Sequence, residues 1–163
     1  MFDIGRTSLS LALLAAVVST IGCDRLTKHV ASTTLPAGQV HSYLADTVRL
    51  VYVENPGGFL SLGADLPVGW RMALFTIVSG TILIGTAVTA ARWRLRGWPL
   101  LGVSLLLAGG TSNWIDRVIR GSVVDFLNVG VGSLRTGVFN VADMAIMLGA
   151  AVLVLATMSR HED

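Results

Sequence analysis

The chain has 163 residues, 53% of them hydrophobic and only 13% charged, where ordinary soluble domains carry about 25% charged residues. With a mean hydropathy of +0.70, this balance excludes a disordered chain and a water-soluble globule and points to a small integral membrane protein of one domain, 1–163. The formal net charge of +2 provides no basic field for nucleic acid; the single Cys23 excludes an intramolecular disulfide, and the scattered His29, His41 and His161 have no zinc spacing.

A helix needs roughly 20 apolar residues to cross a bilayer. Four stretches supply them, and the chain reads as an all-α membrane protein with transmembrane helices over about 7–31, 72–91, 97–116 and 138–158. The first span requires its helix to continue through Asp24, Arg25 and Lys28, where Asp24 and Lys28 stand four apart, the spacing of a simple surface ion pair. Arg6, an apolar run and Ile21-Gly22-Cys23 also have the outline of a lipoprotein signal peptide ending at a lipidated cysteine. Three further spans, Thr20 where such signals carry Leu, and Asp3 in the leader oppose removal of this segment, so Cys23 is expected as a small buried hydrophobe. Residues Val40 to Val53 are rich in β-branched and aromatic side chains and end in the turn-formers Asn55, Pro56, Gly57 and Gly58, which predicts a small β-element in the first outer loop.

Arg92, Arg94 and Arg96 lie between the second and third spans and, by the positive-inside rule, place that loop and both termini in the cytoplasm. Trp93 and Trp98 beside them read as interfacial belt residues. At the outer end of the third span, Asn113, Asp116, Arg117 and Arg120 follow helical spacing, forming either an interfacial anchor or the wall of a polar cleft. Gly109 and Gly110 just below permit close helix approach.

Two carboxylates stand in apolar surroundings. Asp125 interrupts Val123-Val124-Asp125-Phe126-Leu127 after a turn at Gly121-Ser122, and Asp143 falls about two turns inside the fourth span, with Asn140 on the same helical face. An acid at the centre of a membrane helix costs on the order of 3 kcal/mol, so such a group marks function by default. An ion pair of Asp143 with Arg117 and an ion-conducting role remain open on these residues alone. Third and fourth spans meeting at the outer face bring Asp125 and Asp143 together, and two carboxylates sharing one site do not both ionise readily. Such a pair hydrolyses amides without metal or cofactor: one Asp deprotonates water, while its protonated partner polarises the carbonyl and protonates the leaving amine. The glycine-serine arrangement of membrane serine proteases, the H-E-x-x-H zinc motif and the Gly-x-Gly-Asp of presenilin-like proteases do not occur.

Gly110-Thr111-Ser112-Asn113-Trp114-Ile115-Asp116-Arg117, Val123-Val124-Asp125-Phe126 and Phe139-Asn140-Val141-Ala142-Asp143 resemble the signature segments of the lipoprotein signal peptidases, the bacterial signal peptidase II family. Asp24-Arg25-Leu26-Thr27-Lys28 is similar to that family's D-x-x-T-K, and Asn55-Pro56-Gly57-Gly58-Phe59 to its N-x-G-x-x-F stretch, from which it departs at Pro56 and Gly58 and in being one residue shorter. The resemblance implies an aspartic endopeptidase of the bacterial cytoplasmic membrane. It would cleave prolipoproteins before a diacylglyceryl-modified cysteine, with Asp125 and Asp143 as catalytic dyad near the outer face. It further implies that Asn55, Gly57, Phe59, Asn113, Arg117 and Asn140 line or support the substrate cleft, with Asp24, Lys28 and Asp116 holding it. Its implied partners are prolipoproteins, membrane lipids and an inhibitor of the globomycin type. A monomer without cofactor and without nucleic-acid partner is expected. The alternative is a channel or transporter subunit using Asp125, Asp143 and Arg117 as a relay.

Overall fold

The computed structural model describes residues 4–58 and 61–159, so Phe59, expected at the cleft, lies outside the described residues. In chain order it consists of α1 (Ile4–Thr34), β1 (His41–Tyr43), β2 (Val48–Asn55), α2 (Val68–Arg92), α3 (Gly97–Arg120), β3 (Val123–Val131), β4 (Leu134–Arg135) and α4 (Val141–Met158). Helices α3 and α4 form the centre of the bundle, α1 packs on both, and α2 packs on α3.

Glycines make the central contact close. A Cβ at Gly109 would lie 2.3 Å from the Ala142 carbonyl oxygen, and one at Gly149 would lie 2.6 Å from that of Gly102. Backbone meets backbone at both positions, as small-residue interfaces allow. Gly109→Ala is therefore expected to lower stability by about 1–3 kcal/mol, the usual penalty of overpacking. A lowered thermal midpoint in detergent checks this; an unchanged midpoint would show that the helices are not pressed together there.

Helix α2 passes through a π-helical stretch over Ala73–Val78. Within it the Thr76 carbonyl accepts a hydrogen bond from Trp114 Nε1 at 2.8 Å, which docks α2 on α3. The apolar window of α2 is almost unburied by protein, and among the described residues Val68–Arg92 and Val141–Met158 are long and apolar enough to cross a bilayer. Helix α3 has 24 residues, but its C-terminal half carries Ser112, Asn113 and Asp116, all buried in the protein. It ends where Gly121 takes φ 75°, a left-handed cap conformation that glycine adopts without strain.

The β-structure is larger than expected. Rather than one element in the segment between the first two helices, a four-stranded antiparallel sheet in the order β1-β2-β3-β4 joins that segment to the one between α3 and α4. Its central pair sets Asn55 opposite Val123 and Val53 opposite Asp125, with a register shift between Leu50 and Val53. The run VVDFLNVGV is β-branched and apolar enough to prefer a strand, but its partner β2 lies some seventy residues away, and local turn signals do not announce such pairing. The turn between β1 and β2 has Leu44, Ala45 and Asp46 at positive φ. It is held by Asp46, whose carboxylate accepts from Ser42 Oγ and from Arg49 Nε, each at 2.7 Å.

Candidate active site

Asp125 arrives on β3, and the sequence just before α4 draws that strand to the helix. The Phe139 carbonyl accepts from the N–H groups of Phe126 and Leu127 at 3.1 and 2.9 Å, and Phe139 N–H returns a bond to the Leu127 carbonyl at 2.8 Å. The following residue, Asn140, caps α4 in extended conformation: its Oδ1 accepts from Asp143 N–H at 2.9 Å, while Asp143 Oδ2 accepts from Asn140 N–H at 3.1 Å. Asp143 is thus the N3 residue of a reciprocal capping box, with its carboxylate at the positive end of the helix dipole. The position two turns inside a span is overturned, and so is the shared helical face. Cap geometry, not helical periodicity, brings Asn140 to Asp143, and α4 begins at Val141 rather than near 138.

Three asparagine amides surround the two carboxylates. Asn140 Nδ2 donates to Asp125 Oδ1 at 2.7 Å, Asn55 Nδ2 donates to Asp125 Oδ2 at 3.1 Å, and Asn113 Nδ2 donates to Asp143 Oδ1 at 2.8 Å. Burial first, and then the charge of Asp143, pushes the Asp125 carboxyl up to about 6, against the opposing pull of the Asn55 and Asn140 amides. Both aspartates line one cavity of about 430 Å³, whose polar end also includes Asn55, Asn113 and Arg117 and whose apolar walls include Ile82, Leu83, Phe139, Ile146 and Met147. An extended apolar chain fits such walls, while its polar end meets the carboxylates.

Arg117 donates through Nη2 to the Gly57 carbonyl at 2.9 Å, and its guanidinium lies 5.8 Å from the Phe75 ring centroid. It forms no ion pair with Asp143 within 4 Å among the described residues, which removes the simple structural pairing of those two. Arg120 is solvent-exposed, so the polar stripe of α3 divides after Arg117. Gly57 is needed where it stands, since a Cβ there would lie 2.6 Å from the Leu62 carbonyl oxygen.

Beneath the cavity, Asp24 and Lys28 are buried rather than forming a surface pair. Lys28 Nζ lies 2.8 Å from Asp24 Oδ2 and 2.9 Å from Asp116 Oδ2, and Arg25 pairs with the other oxygen of Asp116. Asp24 also accepts from Ser112 Oγ at 2.6 Å and from Ala142 N–H at 2.8 Å, joining α1 to α3 and α4. Cys23, next to this network, is exposed because its side of α1 faces away from the bundle.

The family model for signal peptidase (SPase) II matches residues 16–159. The chain belongs to the signal peptidase II family. It is 32% identical over 157 residues to the lipoprotein signal peptidase of Streptococcus pneumoniae, covering 92% of this chain and 95% of that protein. To the lipoprotein signal peptidase of Hydrogenovibrio crunogenus it is 31% identical over 169 residues, covering 99% and 94%. A solved bacterial membrane enzyme, determined by the in meso method at 2.3 Å resolution, superposes with a TM-score of 0.79 at 25% identity over 97% of this chain and 90% of that one.

Asn55, Asn113, Arg117, Asp125 and Asp143 line the cavity, Asn140 and Gly57 bond to lining residues, and Asp24, Lys28 and Asp116 form the buried network next to it. Ser112 was not singled out by the sequence. It is fully buried against Asp24, and the signal for it is a small hydroxyl beside Asn113 on an otherwise apolar helix. Phe75, under the Arg117 guanidinium, gave no sequence signal, since an aromatic on an apolar helix is unremarkable there.

Proposed function

We propose that the chain is a multi-pass aspartic endopeptidase of the bacterial cytoplasmic membrane that removes signal peptides from diacylglyceryl-modified prolipoproteins through water activated by Asp125 and Asp143. The observation that carries this reading is the pair of carboxylates in one apolar-walled cavity, each approached by asparagine amides. Asp143, at the helix N-terminus with two N–H donors, is the ionised base; Asp125 carries the proton.

As water oxygen attacks the scissile carbonyl carbon, its proton passes to Asp143, and the carbonyl oxygen takes the proton of Asp125 to give a gem-diol. Because Asp125 has by then given up its proton, Asp143 rather than the acid partner expected from the sequence protonates the nitrogen of the lipidated cysteine. The C–N bond breaks, and collapse of the gem-diol returns a proton to Asp125. Substrate signal helix and acyl chains are both lipid-dissolved, and the apolar walls Ile82, Leu83, Ile146 and Met147 receive them without extraction from the bilayer. Purified protein is expected to shorten a diacylglyceryl prolipoprotein, but not its unlipidated precursor, on a gel-shift assay with chelator present. A well-folded preparation without this activity would overturn the reading.

The proposed orientation has four spanning helices, with the Arg92–Arg96 loop and both termini cytoplasmic and the cavity near the outer face. In a Cys23→Ala background, Leu44→Cys should react with a membrane-impermeant maleimide on intact cells and Arg94→Cys only after lysis. The reverse pattern would invert the topology. The relay alternative is not favoured. At the opposite end of the bundle a second cavity of about 590 Å³, lined among others by Thr86, Thr89, Leu95 and Leu153, has no ionisable residue among the described residues that line it to continue a path.

A further inference from the structure

An amide side chain is reversible: Asn can present either oxygen or NH2 to a neighbour, and only the rest of its hydrogen bonds decides which. At this site all three asparagines point their NH2 at a dyad carboxylate, and in each the oxygen is pinned by a group that can donate and cannot accept. Gly57 N–H donates to Asn55 Oδ1 at 3.0 Å and Asp143 N–H to Asn140 Oδ1 at 2.9 Å. For Asn113 the pin is made by two side chains: Lys28 Nζ donates to Oδ1 at 2.7 Å, and Asn140 Nδ2 donates to the same oxygen over a longer 3.3 Å. Lys28 is the sole lysine in a chain with eleven arginines, and it is 3% exposed. A compact ammonium suits the place, since it touches Asp24, Asp116 and Asn113 from one point, as a planar guanidinium cannot.

We propose that Lys28 is a positioning residue of the proteolytic reaction: by donating to Asn113 Oδ1 it locks that amide with its NH2 on Asp143, and so holds Asp143 as the hydrogen-bond acceptor that deprotonates water. The inference rests on the dyad reading above. Without the ammonium, only the longer bond from Asn140 Nδ2, which is shared with Asp125 and the Val124 carbonyl, holds the Asn113 oxygen in place; a turn of that oxygen toward Asp143 is satisfied only when Asp143 itself carries a proton, which is the form unable to act as base. The charged groups around the pair are Asp24 and Arg25 of α1, Asp116 and Arg117 of α3, and Asp125 of β3, while α2 presents Ser79, Ile82 and Leu83 to the cavity and no charge. Of these, Arg25 and Asp24 are committed to Asp116 and to Ser112 and Ala142, so no other charged group takes the place of Lys28 at Asn113.

The test is the pH profile of cleavage of a diacylglyceryl prolipoprotein by Lys28→Met, purified with its lipids in detergent and normalised to folded protein. The expected result is an acid limb of kcat displaced to higher pH by about one unit, hence roughly a tenfold loss below it, with KM unchanged. A wild-type limb, or a change confined to KM, overturns the proposal. Because Lys28→Met leaves Asp24 and Asp116 short of a cation, Asn113→Leu provides a second variant that retains their pairing. It should show the same displaced limb, and a wild-type limb there overturns the proposal on its own. Asp125→Asn and Asp143→Asn assayed alongside separate the two readings. Activity in either would remove the dyad itself, whereas two inactive dyad variants beside an unaltered Lys28→Met profile would remove only the role of Lys28.

Discussion

Asp125→Asn and Asp143→Asn are each expected to reduce cleavage by at least about a thousandfold while leaving the protein folded, because general acid and general base contribute on the order of a hundredfold to ten-thousandfold each and here act as one unit. Asparagine keeps the size of the side chain and removes the transferable proton or the charge, so the loss reports chemistry. Cleavage rates at matched folded concentration decide it, and turnover within tenfold of wild type in either variant would falsify the dyad. The Asp125 variant has a second signature. In the folded protein this carboxyl is pushed up to about 6 from its ordinary 3.8, chiefly by burial and next by Asp143. The folded state therefore binds the proton more tightly than the unfolded chain, and stability falls as pH rises from about 4 to 6. Asp125→Asn cannot titrate. Its thermal midpoint should lack that decline, whereas a wild-type slope in the variant would assign the titration to another group.

Asp24→Ala is expected to be the most destabilising single change, about 3–5 kcal/mol, the scale on which removing one partner of a buried ion pair acts. Asp24 is 0% exposed. Its loss strands the Lys28 ammonium and takes the acceptor from Ser112 Oγ and Ala142 N–H. The last of these lies in the first turn of α4, one residue before Asp143, so the same substitution loosens the cap that joins Asn140 to Asp143. Asp24→Asn keeps an acceptor oxygen and should recover part of the loss. Denaturation in detergent measures both, and a change below about 0.5 kcal/mol for the alanine variant, the range of ordinary surface substitutions, would mean that α1 is not held through this contact.

Which groups are out of place in an apolar chain was written in the order of residues, because a bilayer penalises acids and amides that serve no purpose. Asp125, Asp143, Asn113, Asn140 and Arg117 stand out from apolar neighbours for that reason, and the lengths of the apolar runs follow from the 1.5 Å rise of a helix across the hydrocarbon core. How those groups meet was not legible. Helical spacing placed Asn140 and Asp143 on one face, whereas a cap joins them. Asp24 and Lys28 have the spacing of a surface pair, and only the approach of α3 and α4 turns them into a buried junction. Strand pairing between β2 and β3 brings Asn55 to Asp125 across 70 residues. Local patterning reports the nature of a side chain and its nearest turns. Burial and amide direction arise from long-range contacts, which exist once the helices and the sheet have closed on one another.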